Sequence, residues 1–205
     1  VWVNPRGSTG YGEDFALGID LAYPGYDYDD LMTVVDAVVA KKYVAPDRLF
    51  VTGGSGGGIL TAWITTKTQR FAAAASIKPV INWMTMALAA DIGQYVRRHW
   101  IRADPWSDPE AFLKFSPIRY VDKVKTPTLI MVGEEDYRTP AWEAEQYYTA
   151  LKMLKIDTAL IRVPGAPHYI ASRPSRLVGK TDNIMGWFAK YDPDKQKPEE
   201  MTPKP

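Results

Sequence analysis

Cysteine is absent from this chain of 205 residues. Its absence excludes thiol catalysis, disulfide bonds and cysteine-ligated metals, and leaves the compartment open. Histidine is scarce: only His99 and His168 occur. Any imidazole-dependent chemistry must use one of these two, and a typical multi-histidine metal site is out of reach. A surplus of one charge is also missing. The 25 basic and 24 acidic residues nearly cancel, so nothing points to nucleic acid or to an acidic membrane as a partner. No apolar run approaches a membrane span. No leader segment is visible; the chain begins at Val1, within what reads as a strand, and the expectation is that the natural start lies upstream. What remains is 46% hydrophobic, which fits one globular domain with a substantial core.

The most informative segment is Leu49-Phe50-Val51-Thr52-Gly53-Gly54-Ser55-Gly56-Gly57-Gly58-Ile59-Leu60. A short apolar run enters a serine bounded by glycines, and a helix-like run, Leu60 to Ile64, leaves it. This is G-x-S-x-G between a strand and a helix, the pattern of a nucleophile elbow. The turn is so sharp that the serine adopts strained backbone angles and side chains on its neighbours would clash. A run of Gly and Ser is also the composition of a flexible linker. The apolar strand before it and the apolar helix after it favour the elbow.

Alternating periodicities supply the frame. Val1–Asn4 reads as the end of a strand, and Pro5–Gly12 as a glycine-rich loop. Leu31, Val34, Val35, Val38 and Val39 recur at helix spacing, so a helix is expected over Asp29–Tyr43. Further strands are expected at Arg48–Thr52, Ala72–Ile77, Thr128–Val132 and Thr158–Val163. Helices are expected from the elbow to about Thr68, over Pro140–Lys155 and over Thr181–Tyr191. Asn82 to about Ala111 reads as a largely helical insertion rich in Trp and Met. The domain is expected to span residues 1–191, and residues 192–205, rich in Pro, Lys and Glu, to form a disordered tail. Strands alternating with helices imply a mostly parallel sheet flanked by helices, an α/β architecture. In such sheets sites form beyond the carboxyl ends of the strands.

The remaining chemistry obeys that rule. Gly133-Glu134-Glu135-Asp136 follows the fourth expected strand, and Pro164-Gly165-Ala166-Pro167-His168 follows the fifth. The order serine, acid, histidine is that of an α/β-hydrolase. A serine hydroxyl is a poor nucleophile at neutral pH; His168 would take its proton, and Asp136 would fix the imidazole tautomer. Glu134 and Glu135 are rivals of Asp136, which is preferred because a residue a few positions past the strand can turn back toward the histidine loop. His99 lacks a post-strand position and reads as structural or lid-related.

On these residues the chain resembles the hydrolase domain of the prolyl oligopeptidase family, in its acylaminoacyl-peptidase and dipeptidyl-peptidase branch. The resembling segments are Asn4–Gly12, Thr52–Ser55, Pro79–Trp83, Gly133–Arg138, and Pro164–His168 with Ser172–Pro174. The resemblance implies Ser55 as nucleophile, Asp136 as acid, His168 as base, short peptides as substrates, and neither metal nor organic cofactor. It departs from the family in two ways. Gly56 stands where relatives commonly carry tyrosine; its N–H is still expected to be one oxyanion donor, although a glycine orients it less firmly and the pocket wall loses a ring. The front of the domain is also short. About eight strands are usual in the family and five are expected here, which by resemblance are the fourth to the eighth. The missing third strand would leave a gap inside the sheet, between Val1–Asn4 and Arg48–Thr52. An HGG-type loop for the second oxyanion donor and the family's β-propeller are absent too. The chain therefore reads as a C-terminal part of a larger protein, whose partners would be the N-terminal remainder or a second copy of itself.

Trp83 and Asn82 are the expected substrate-binding residues, on the resemblance of that pair to the family's site-proximal segment. Most other apolar residues of the insertion read as packing. Three functions follow: a serine peptidase, a small carboxylesterase, or a catalytically silent fragment with a structural role.

Overall fold

The computed structural model describes residues 1–42 and 44–196. Four parallel strands form one sheet in the order β1 (Phe50–Gly54), β2 (Ala73–Ile77), β3 (Thr128–Gly133), β4 (Thr158–Val163). The register pairs Thr52 with Ala75, Ala75 with Leu129, and Ile130 with Leu160. Nine helices are described: α1 (Glu13–Ala16), α2 (Tyr26–Ala40), α3 (Gly56–Lys67), α4 (Trp83–Ala89), α5 (Gly93–Tyr95), α6 (Pro109–Leu113), α7 (Ala141–Met153), α8 (Pro174–Lys190) and α9 (Pro193–Gln196). This is the expected α/β-hydrolase layering, a parallel sheet between helices.

The period of the strands divides the core into two faces. Ile130 and Val132 point toward α3 and α7, where they pack with Ala62, Ala144, Tyr147 and Leu151. Their neighbours Leu129 and Met131, with Ala73, Ala75 and Ile77, point the other way and meet Trp187 of α8. Both central strands are buried along their whole length, which explains why β2 reads Ala-Ala-Ala-Ser-Ile with no polar face. Small residues in β2 let the layers approach closely.

A third cluster belongs to the segment after β2. Trp83, Met86, Val96 and Phe112 pack with Ile59 and Val80, with Trp83 and Phe112 almost wholly enclosed. The insertion is helical as expected, but in pieces. α4, α5 and α6 are joined through a π-type turn at Val96–Ile101, which ends at Arg102 in the left-handed region, φ 58°. Asn82 caps α4 by accepting from the Met84 N–H at 3.1 Å, and Asp108 caps α6 by accepting from Ala111 N–H at 3.0 Å.

Several boundaries differ from the sequence expectation. Val1–Asn4 pairs with no described strand, so the sheet has four strands rather than five. Apolar alternation marks a strand-like segment but does not provide it with a neighbour. Between this segment and the outer edge of β1 lies a groove of about 760 Å³, lined by Leu31, Val34, Val35 and Val38 of α2 and by Phe50, Leu60 and Phe71. The groove stands where the gap was expected. Helix α2 begins at Tyr26, three residues before Asp29, with Gly25 at its N-cap. Helix α8 begins at Pro174 rather than Thr181, because proline is well suited to the first helical position. Within the stretch expected to form a tail, Asp192 is buried and α9 follows it; residues 197–205 lie outside the described residues. Arg48 grips Asp192 through two bonds, Nε to Oδ1 at 2.8 Å and Nη2 to Oδ2 at 2.7 Å.

The glycines around Ser55 are not equivalent. A Cβ at Gly53 would lie 2.3 Å from the Gly57 carbonyl oxygen, and one at Gly58 would lie 2.5 Å from that of Ile77. A Cβ at Gly57 would meet nothing within 4 Å. We therefore expect Gly58→Ala to lower stability by about 2 kcal/mol or more, through forced separation of α3 from β2. Gly57→Ala should raise it by about 0.5 kcal/mol through reduced helix entropy. Urea midpoints of the two variants check the contrast.

Candidate active site

Ser55 sits between β1 and α3 with φ 59° and ψ −119°, a conformation rarely adopted by a residue with a side chain. Two backbone bonds hold it. Its N–H donates to the Ile77 carbonyl at 3.0 Å, and its carbonyl accepts from Ile59 N–H at 3.0 Å. The strain thus persists because the strand and the helix fix both sides of the residue. The Ser55 N–H is occupied by this bond. Gly56, first residue of α3, presents its N–H at the positive end of the helix dipole.

Asp136 lies three residues past β3 and is almost fully buried. The tight turn after β3 needs Gly133, since a Cβ there would stand 2.2 Å from the Ala166 carbonyl oxygen. That contact also shows how closely the β3 and β4 loops approach. Asp136 Oδ1 accepts from the N–H groups of Arg138 at 3.0 Å and Thr139 at 2.9 Å, and Oδ2 accepts from the Thr139 hydroxyl at 3.1 Å. His168 Nδ1 lies 2.9 Å from Asp136 Oδ2, and His168 Nε2 lies 2.9 Å from Ser55 Oγ. Ser55, His168 and Asp136, distant in sequence, therefore form one continuous line of hydrogen bonds. Burial alone would raise the Asp136 pKa, but the bonds from His168 and Thr139 outweigh it and hold the carboxyl below its ordinary value.

Glu134 and Glu135 are not part of this line. Glu134 forms an ion pair with Arg162 at 3.2 Å, and Glu135 stands beside Gly165. Lys78, the residue after β2 and in the left-handed region at φ 46°, donates from Nζ to the His168 carbonyl at 2.7 Å, tying the histidine loop to the sheet.

A cavity of about 970 Å³ opens over Ser55, Gly56 and His168. Trp83 lines it, as do Tyr23, Met86, Ile92, Tyr95 and Trp100. Tyr23, Trp83 and Trp100 meet edge-on, with centroids 5.6 to 6.0 Å apart. Trp83 is buried and its indole N–H donates to the Phe115 carbonyl at 3.1 Å, so only part of its surface faces the cavity. Asn82 is otherwise engaged. Its side chain accepts from Met84 N–H and donates to Gln146 at 3.2 Å. His99 lines the cavity mouth and packs on Tyr95, centroid to centroid 4.6 Å. Arg97 is paired with Asp104, and Arg102 with Asp20 at 2.9 Å.

One supporting residue was missed by sequence reasoning. Glu143 of α7 is fully buried, and its Oε2 accepts from the N–H groups of Ile81 at 2.9 Å and Asn82 at 3.0 Å. Thr85 donates to its other oxygen. The carboxyl anchors the segment that leads from β2 to Trp83. Burial pushes its pKa up against these bonds. Its only signal in the sequence was an acidic residue on the α7 face that also carries Ala144, Tyr147 and Leu151.

A serine hydroxyl bonded to an imidazole, itself bonded to a buried carboxylate, can attack an activated carbonyl. The chain belongs to the prolyl oligopeptidase family, whose model matches residues 1–193. It is 38% identical over 194 residues to the uncharacterized peptidase YuxL of Bacillus subtilis, an alignment covering 93% of this chain and 30% of that protein. It is 34% identical over 197 residues to an acylamino-acid-releasing enzyme of Arabidopsis thaliana, covering 92% of this chain and 26% of the relative. Among solved structures, the Pyrococcus horikoshii acylaminoacyl peptidase superposes with a TM-score of 0.89 at 29% identity, over 96% of this chain and 32% of that one. The chain thus spans under a third of the length of these relatives.

The depressed Asp136 pKa carries a stability consequence. Its contribution is complete above the unfolded carboxylate value, about 4, and is lost as pH falls through the lower folded value. Urea midpoints measured from pH 6 down to pH 2 should therefore fall, and Asp136→Asn should flatten the part of that fall due to this group. Parallel curves for the two proteins would contradict the assignment.

Proposed function

We propose that this chain carries the catalytic part of a serine peptidase acting on short peptides. The observation that carries the reading is the unbroken line from Ser55 Oγ to His168 Nε2 and, across the imidazole, from His168 Nδ1 to Asp136 Oδ2, each of the two hydrogen bonds being 2.9 Å. Ser55 Oγ bonds to the substrate carbonyl carbon while His168 Nε2 takes the hydroxyl proton. The carbonyl oxygen becomes an oxyanion facing the Gly56 N–H. The C–N bond then breaks, and the proton on His168 passes to the departing amine, leaving an ester on Ser55. Water attacks that ester, His168 takes a proton from the water, and its return to Ser55 Oγ releases the acid. Asp136 stays ionised throughout and stabilises the imidazolium. No step calls for a metal or an organic cofactor.

The aromatic wall of the cavity supports an apolar side chain next to the scissile bond. Trp83 contributes one face of that wall. Asn82 acts through the wall rather than on the substrate, since its side chain caps α4. A small carboxylesterase is the second reading, since the same line from Ser55 through His168 to Asp136 can attack an ester carbonyl. Amide cleavage leans harder than ester cleavage on protonating the leaving group.

The partner we propose beyond substrate is polypeptide. An extended segment from the remainder of a longer protein would lie in the groove beside β1, pairing with its free edge and covering the apolar side chains of α2. A fluorophosphonate probe tests the central claim. It should label Ser55, and Ser55→Ala or His168→Ala should reduce labelling at least about 1000-fold. An unlabelled folded protein would leave only a structural role. Turnover of p-nitrophenyl esters without turnover of aminoacyl-p-nitroanilides would remove the peptidase claim and retain the esterase.

A further inference from the structure

Gly56 carries the amide on which the oxyanion depends, yet it has no side chain to steady it. Helix α3 opens with three successive glycines, Gly56, Gly57 and Gly58. A Cβ on Gly58 would run into the Ile77 carbonyl, whereas one on Gly57 would stand in open space. A Cβ on Gly56 would approach a single atom, the hydroxyl oxygen of Tyr23, at 3.0 Å. That same hydroxyl donates to the Gly56 carbonyl at 3.1 Å.

Tyr23 reaches this position from a distant loop, 33 residues earlier in the chain. The loop is itself braced. Asp27, almost fully buried, accepts through Oδ1 from the N–H groups of Gly25 at 2.6 Å and Tyr28 at 3.0 Å. The Tyr23 ring is held edge-on by Trp83 and Trp100, at 5.9 and 6.0 Å. Burial, reinforced by the negative charge of Asp27, raises the Tyr23 pKa and keeps the phenol a donor.

We propose that Tyr23 is a positioning residue for the oxyanion amide: its hydroxyl pins the Gly56 carbonyl and stands against the position where a side chain on residue 56 would begin. The proposal rests on the reading of Ser55 as nucleophile. A glycine in the first turn of a helix has access to more backbone states than any other residue, and excursions of Gly56 would swing its N–H off the oxyanion. Fixing the carbonyl on the far side of the same residue narrows those states before substrate arrives, which is where electrostatic stabilisation of a transition state gains most. The sequence thus places the glycine and the hydroxyl that steadies it on separate elements.

The test measures labelling of Ser55 by a fluorophosphonate, and kcat and KM for a p-nitrophenyl ester, on the whole chain. Tyr23→Phe keeps the ring and loses the hydroxyl. Labelling and kcat should each fall about tenfold, the scale of one hydrogen bond, with KM within about twofold of the wild type. Tyr23→Ala loses the wall as well, so KM should also rise. Gly56→Ala restricts the same backbone by another route. Alone it should slow labelling, because its methyl meets the Tyr23 hydroxyl; added to Tyr23→Phe it should recover part of the lost rate, a coupling that simple loss of stability would not produce. A wild-type chain that is not labelled overturns the serine-hydrolase reading and the proposal with it. Labelling of the wild type and of Tyr23→Phe at equal rates overturns the proposal alone. Strictly additive effects of Tyr23→Phe and Gly56→Ala overturn it too.

Discussion

The close approach of α3 to β1 and β2 is the constraint on which the rest of the structure depends. Gly53 meets the backbone of Gly57, and Gly58 meets the carbonyl of Ile77, at distances that leave no room for a Cβ. With the helix drawn this near, the chain between strand and helix cannot relax, and Ser55 is left in an otherwise unfavourable conformation. The hydroxyl then projects from the end of the sheet toward the loops that follow β3 and β4. Packing thus settles the geometry of the serine before any of its partners contributes. The hydrogen bond from Ser55 N–H to Ile77 joins the same turn to the central strand.

Those partners arrive through a similar economy of space. The loop after β3 and the loop after β4 touch through Gly133 and Ala166, which sets Asp136 against His168. The bonds from His168 and Thr139 hold the carboxyl below its ordinary pKa in a buried place. Lys78 and Glu143 act one layer further out. Lys78 ties the histidine loop to the sheet, and Glu143 ties the segment after β2 to α7. Both hold loops by their main chain, so the segments that lead to the histidine and to the insertion are anchored independently of the serine.

Ser55, Asp136 and His168 were legible in the sequence because each follows an apolar strand, and a parallel sheet gathers such positions at one rim. The sheet's central strands were legible for the same reason, being uniformly apolar. Pairing was not. Val1–Asn4 has a strand-like composition, but a strand exists only beside another, and the sequence of a segment does not carry its neighbour. The start of α8 was placed late because the polar residues after Pro174 obscured a proline suited to a first turn. The stretch from Tyr23 to Tyr28 reads as a loop near the cleft, but nothing in it gives Tyr23 a role. Its position depends on a loop folding back across a site built 33 residues later, and only the assembled structure relates a hydroxyl on one element to the missing side chain on another. Asn82 shows the converse. It is expected at the substrate only through the resemblance of its segment to the family's, and its side chain is engaged at the N-terminus of α4.

The grip of Arg48 on Asp192 joins the residue that leads into the sheet to the residue that leaves the last long helix. Everything between them, including the serine, the acid and the histidine, is enclosed in a loop shut by an ion pair instead of a covalent bond. Tension applied from outside that loop reaches the clasp before it reaches the ladder of the strands. The clasp would give way first, and the interior would be the last part of the molecule to feel the pull.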